Sequence, residues 1–405
     1  MNMRFQIAVR NILRNPRRTA LNILMIVGAI SAIVLFHGFG HNLIAKLQQL
    51  AIKTQYGHLQ MANHKTWKLS PEDSPVDRLM TPTPEMLGKI SKLPFVDYVS
   101  GRMSFYGLIL SGDQSLSANG FAFDPGVESQ MRDHLTVIEG HNLDKNSKRE
   151  ILLGSGLQEQ LGAKPGDTVT LLGYSYDGSV NAVDTTLIGI VQSGLAEVDN
   201  STFFLPLETA QRLLGTDSVE RLIIQLQNDD AVSATKASID SIAPGGVETK
   251  TWFDLASFYR QVVEYYGVQN MIIQWILLLL AMLAITNTIG MSITERTGEI
   301  GTTRALGDSR WDIISQFLIE GLTLGVLGAF IGCIVGLILC YVVTALKIPI
   351  LTPGASIPLP IEIDVLPGAF LNAALLTCGV TVLATLIPAI GASRFKIVDA
   401  LKRNI

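Results

Sequence analysis

Between Thr294 and Ile314 the chain reads TERTGEIGTTRALGDSRWDII, placing seven charged residues, Glu295, Arg296, Glu299, Arg304, Asp308, Arg310 and Asp312, between two long runs that carry almost none. Such an island suits water or another protein, and it holds none of the pairings that break bonds. Nothing in the chain resembles a nucleophile beside a base, so no catalytic residue is expected. The Gly-rich G-x-x-x-x-G-K-[ST] loop that cradles phosphates occurs nowhere. His37 and His41 stand one turn apart, but HGFGH lacks the glutamate of H-E-x-x-H and no third ligand is evident, so interfacial polar residues are the default and no metal is expected. Gly154 and Gly156 in GSGLQEQLG lack the third glycine of a dinucleotide site and read as a turn beside strands. Cys333, Cys340 and Cys378 all lie in apolar runs and read as small core residues.

The elements that position this island follow from composition. Of 405 residues, 48% are hydrophobic and 16% charged, whereas a soluble domain carries about 25% charged residues. A helix crosses a bilayer with about 20 apolar residues, because its backbone must satisfy its own hydrogen bonds there. Four segments meet that test, at 20–43, 271–293, 313–346 and 366–392. The first has a basic start and the small-residue stretch GAISA, yet its apolar run continues through Phe36, too long for a cleaved signal, so it reads as an anchor. The third is longer than one crossing requires, which suggests tilt or extension. The fold class expected is therefore an α-helical membrane protein with four transmembrane helices and a large α+β extracytoplasmic domain inserted between helices 1 and 2.

Lys and Arg close to span ends stay on the cytoplasmic side. Residues 1–19 hold Arg4, Arg10, Arg14, Arg17 and Arg18, the 294–312 loop holds Arg296, Arg304 and Arg310, and the 393–405 tail holds Arg394, Lys396, Lys402 and Arg403. The short 347–365 loop offers Lys347 alone. Both termini and the island are thus expected in the cytoplasm, and the 44–270 insert, with 18 Lys and Arg against 27 Asp and Glu, outside. In the insert, GHLQMAN and DYVSGRM read as strands around a helix near Glu85 to Leu93, and RLIIQLQ precedes a helix in DDAVSATKASIDSIA. Together they make an α+β unit built from both ends of the insert. Between them FYGLILSGD, REILLGSGLQEQLGAKPGDTVTLLG and DTTLIGIV read as a second, mostly β subdomain.

Within the island, Gly307 marks the end of a short helix carrying Arg304, and Ser309 with Asp312 forms an S-x-x-D start for the third span. The positive-inside rule alone favours a merely solvated loop. In the third span Gly321, Gly325, Gly328, Gly332 and Gly336 recur at three- and four-residue steps, a groove for close helix packing. Glu320 on the same helix is expected to make a structural hydrogen bond, since a carboxylate facing lipid is costly. Phe5, Ala8, Val9 and Ile12 give residues 1–19 an apolar face suited to the inner headgroup layer, with partner contact as the lesser role.

The island resembles the signature of FtsX-like ABC transporter permeases, the family of MacB-type efflux pumps and the LolCDE lipoprotein-releasing system. NILRNPRRTALNILMIVGAI, SGLQEQLGAKPGDTVTLL and PAIGASRFKIVDALKR carry the resemblance over essentially the whole chain. It implies that the loop docks on a nucleotide-binding subunit, with Glu295, Arg296, Glu299, Arg304 and Asp308 in a coupling role. It also implies a separate ABC ATPase in two copies holding ATP and Mg, since no cofactor site is expected on this chain, and a second copy or homologous permease. The implied location is the bacterial inner membrane, and the implied mechanism is mechanotransmission that moves an amphiphile, foremost a lipoprotein. Efflux with a periplasmic adaptor, and a transmitter that switches a periplasmic partner without transport, are the alternatives; no nucleic-acid partner is expected.

Overall fold

The computed structural model describes residues 16–67, 75–351 and 354–394. The expected amphipathic face of Phe5, Ala8, Val9 and Ile12, and the tail beyond Arg394, lie outside the described residues. Two compact units are present, one comprising the chain up to Ile44 with Val262–Pro349 and the chain from Pro360, the other Ala45–Gln261 with Ile350–Leu359.

Among the described residues four helices are long and apolar enough to cross a membrane, Pro16–Leu50, Ser257–Glu295, Arg310–Leu346 and Pro367–Ser393, and the first unit holds the greater part of each. The first and second, at 35 and 39 residues, exceed the roughly 20 that a crossing requires. Start signals are local. Ser309 and Asp312 form a reciprocal capping box before the third span, and Pro367 opens the fourth at a position where its missing N–H costs nothing. Ile26 and Ile30, Ile285 and Ile289, Phe317 and Leu324, and Ala384 and Ala389 bring all four spans into one core. Water gives no driving force between helices in lipid, so close packing and hydrogen bonds hold them. Thr286 Oγ1 donates to the Ala384 carbonyl at 3.1 Å, tying second span to fourth.

The second unit carries strands β1 (Leu59–Asn63), β2 (Val96–Ser111), β3 (Gln114–Phe123), β4 (Thr136–Gly140), β5 (Glu150–Gly154), β6 (Thr168–Tyr174), β7 (Val180–Gln192), β8 (Thr202–Pro206), β9 (Arg221–Leu226) and β10 (Val247–Thr251). Their order is β10-β1-β9-β2-β3-β8-β5-β7-β4, with β6 pairing both β2 and β7. One half, β10-β1-β9-β2, is covered by helices Pro84–Ser91 and Val232–Ile242, whose Met86, Ile90 and Ile239 pack on Leu59, Leu222 and Ile224. This is the α+β unit expected from the two ends of the insert. In the other half, pairings run β2-β3-β8-β5-β7-β6 and back to β2, closing a ring. Its core includes Met103, Ile109, Ile151, Leu171, Leu187 and Phe203.

Two sequence expectations are corrected here. DYVSGRM and FYGLILSGD are not separate strands but parts of the single 16-residue β2, which pairs β9 through Val96–Arg102 and β3 through Met103–Ser111. Gly154 and Gly156 do not make a turn: Gly154 caps the helix Ser155–Leu161, and Gly156 lies inside it. Side chains at these glycines would run into the Asp199 backbone and Asn200, so close approach, not chain reversal, requires them.

Candidate functional site

The second span ends at Glu295, and Arg296, at φ −100° and ψ 13°, interrupts the helix before it resumes as Thr297–Ala305. Gly307 then takes φ +113°, a conformation that favours glycine, and the capping box opens the third span. The island is therefore a short helix between two turns.

Arg296 turns inward. Its Nε donates to Glu299 Oε2 at 3.1 Å and its Nη1 to Glu320 Oε2 at 3.3 Å, while its guanidinium lies 5.6 Å from the centre of the Phe317 ring. Arg296 is 9% exposed and Glu320 7%, so each charge is away from bulk water and requires the other. The expected structural hydrogen bond of Glu320 is thus an ion pair that fixes the start of the short helix to the third span. At the other end Arg304 Nη1 donates to the Ser393 carbonyl at 3.1 Å, meeting a last-turn acceptor of the fourth span. Two of the five nominated residues, Arg296 and Arg304, are braces.

Glu295, Glu299 and Asp308 are exposed. Beside them stand two residues that the sequence reading passed over, Leu306 at 83% exposed and Trp311 at 67%. The signal for them was available: large apolar side chains between Arg304 and Asp312, at positions committed to turn and cap, have no core to enter. The exposed residues are thus mixed, Glu295, Glu299, Asp308 and Arg310 with the apolar Leu306 and Trp311, a composition that suits a protein partner better than water alone.

The glycine stripe faces two neighbours. A side chain at Gly321 would overlap Thr385, and one at Gly325 would come within 3.3 Å of Thr381, both on the fourth span. At Gly328 and Gly332 it would lie 2.7 Å from Ile26 and 3.1 Å from Ile30 on the first span, and at Gly336 3.5 Å from Ser31. Thr377, Thr381 and Thr385 return their hydroxyls to carbonyls one turn earlier and present a smooth surface to the stripe.

His41 hydrogen-bonds through Nδ1 to Asp364 Oδ2 at 2.6 Å, and Asn42 Nδ2 donates to Asp364 Oδ1 at 2.9 Å. This clasp occupies His41, and no group of three metal-ligating side chains occurs among the described residues.

Comparison with known proteins bears on both units. Residues 271–397 match the family profile described as FtsX-like permease C-terminal, and residues 19–242, more than half of the chain, match the MacB-like periplasmic core domain. The lipoprotein-releasing system transmembrane protein LolC of Neisseria meningitidis is 27% identical over 274 residues, 62% of this chain and 65% of that protein. The macrolide export ATP-binding/permease protein MacB of Acinetobacter baylyi is 25% identical over 363 residues, 82% of this chain and 51% of that protein. The chain thus spans less than two thirds of the length of either. The solved periplasmic region of MacB from Actinobacillus actinomycetemcomitans aligns with 52% of this chain and 94% of its own at TM-score 0.36 and 14% identity.

Proposed function

For a chain that belongs to the FtsX-like permease family and carries a MacB-like periplasmic core domain, we propose the role of membrane subunit in an ABC transporter driven by a separate ATPase. The short helix Thr297–Ala305 receives the stroke of that ATPase, which holds ATP and Mg²⁺ and supplies the free energy of hydrolysis. The reading rests on one observation: this helix is braced at both ends, Arg296 to Glu320 and Arg304 to Ser393, while Glu299, Leu306, Asp308 and Trp311 offer an exposed docking face. A push on such an element passes to the third and fourth spans instead of dissipating in a loose loop.

The same reading sets the loop and both termini in the cytoplasm of a bacterial inner membrane and the insert in the periplasm, as the Lys and Arg near the span ends favour. Two permease chains, alike or homologous, work with two ATPase copies. Force leaves through the outer domain, which moves an amphiphilic cargo, foremost a lipoprotein. Export of a toxin or antibiotic through an adaptor is the second reading, favoured by the relative named for macrolide export.

The test is purification of the chain from its native membranes, as wild type and as Leu306→Asp/Asp308→Lys. An ATP-binding protein is expected to accompany the wild type and to be lost from the variant, whose surface changes leave the core intact. No ATP-binding protein with the wild type, or equal recovery with both, overturns the reading.

A further inference from the structure

The second unit contains a cavity of about 480 Å³, within the range of small-molecule sites. Phe121, Leu135, Val198 and Phe204 give it an apolar wall, and Arg221 and Glu197 stand in its lining as one base and one acid. Its wall is built and not incidental. The helix that begins at Pro16 changes at Ala51–Tyr56 to a π-helix, a rare conformation frequent at functional sites, and Thr54, Gln55 and Tyr56 of that turn line the cavity. Arg102 Nη1 donates to the Gln55 carbonyl at 2.6 Å, and its guanidinium lies 5.1 Å from the centre of the Phe121 ring. Arg221 is held by Glu220 Oε1 at 2.6 Å and Gln60 Oε1 at 3.4 Å.

A narrow second space of about 30 Å³, walled by Leu47, Leu50 and Tyr259 among others, shares Gln55, Tyr56, Leu195 and Phe258 with the cavity. Phe258 remains 54% exposed although it lines both. A broad space that shares four wall residues with a narrow apolar one suits a linear hydrocarbon chain better than a compact ring system. One charge of each sign suits a head that carries both.

We infer that this cavity binds a single-chain zwitterionic amphiphile of the lysophospholipid class, its hydrocarbon chain along Phe121, Leu135, Val198 and Phe204 and its head at Arg221 and Glu197. The inference rests on the transport reading only in treating the ligand as cargo. Binding is measured without any ATPase, so its failure and the failure of the coupling reading are distinguishable.

The test uses the full chain in detergent-free nanodiscs and a lysophosphatidylethanolamine bearing a diazirine in its acyl chain and a terminal alkyne. Photolabelled peptides are expected to include those containing Leu135 and Val198. Val198→Trp should cut cavity labelling by roughly tenfold, as a bulky side chain takes the chain's volume, while labelling of the membrane spans stays constant. Glu197→Lys, an exposed change that leaves the fold intact, should shift preference to the anionic lysophosphatidylglycerol analogue. Labelling confined to the spans, cavity labelling that survives Val198→Trp, or equal labelling by both headgroups in wild type and in Glu197→Lys overturns the inference.

Discussion

Among the described residues two arginine–glutamate pairs are buried, and their surroundings differ. Arg102 and Glu128, at 2% and 0% exposed, join the halves of the outer domain. Arg102 Nε bonds both carboxylate oxygens, at 3.1 and 2.8 Å, and Nη2 bonds one of them again. Arg296 and Glu320, by contrast, meet through one contact at 3.3 Å, and Arg296 divides its guanidinium between Glu320 and the half-exposed Glu299. A guanidinium gripped bidentately is fixed in plane and position. One shared between two carboxylates can shift from one to the other at modest cost. The first pair is suited to holding two subdomains at a constant angle, and the second to a brace that stays attached to the third span while it turns under load.

Four substitutions break or sharpen this contrast. The largest effect is expected from Arg102→Met, which strands Glu128 without its partner and costs about 3–5 kcal/mol, read as earlier thermal unfolding of the outer domain in the full chain. Arg296→Met should cost less, about 1.5–3 kcal/mol for a hydrogen bond to a charged group, because Glu320 loses one contact at 3.3 Å where Glu128 loses three. Under the proposed coupling role, ATP hydrolysis by the partner should nonetheless fall further with Arg296→Met than with Arg102→Met. Equal stability losses at the two sites would erase the distinction. Gly321→Ala, next to Glu320 and against Thr385, should cost about 1–3 kcal/mol through overpacking and weaken contact between the third and fourth spans, measured by cross-linking of paired cysteines. Ser309→Ala removes one half of the capping box and should cost about 1 kcal/mol, seen as faster amide exchange confined to the first turn of the third span.

The same contrast governs what could be read from sequence. The four spans are legible because a charge-poor run of that length has no other stable use, and the turn at Gly307 and the box at Ser309 and Asp312 are legible because they are local. Both braces are long-range, linking Arg296 to a residue 24 positions away and Arg304 to one 89 away, and no periodicity announces them. Glu320 could be flagged as requiring a partner, but its partner could not be named. In the outer domain, DYVSGRM and FYGLILSGD read as two strands because nothing local shows that one strand passes from β9 to β3 at Met103. Gly101 and Gly107, which lie inside the two segments, mark close approach and not an interruption: a side chain would come within 2.7 Å of Val219 or 2.9 Å of the Leu172 carbonyl. Ring closure through β6 is likewise a tertiary event, invisible in the alternation of any one strand.

The central claim is that work done by another polypeptide enters through the helix Thr297–Ala305. Its most direct test places a photo-crosslinking amino acid at Leu306 of the full chain in living cells and identifies what is captured. An ATP-binding protein at Leu306, lost when Asp308→Lys is added, is the predicted result. Capture of periplasmic proteins there, with no ATP-binding protein, would contradict the account.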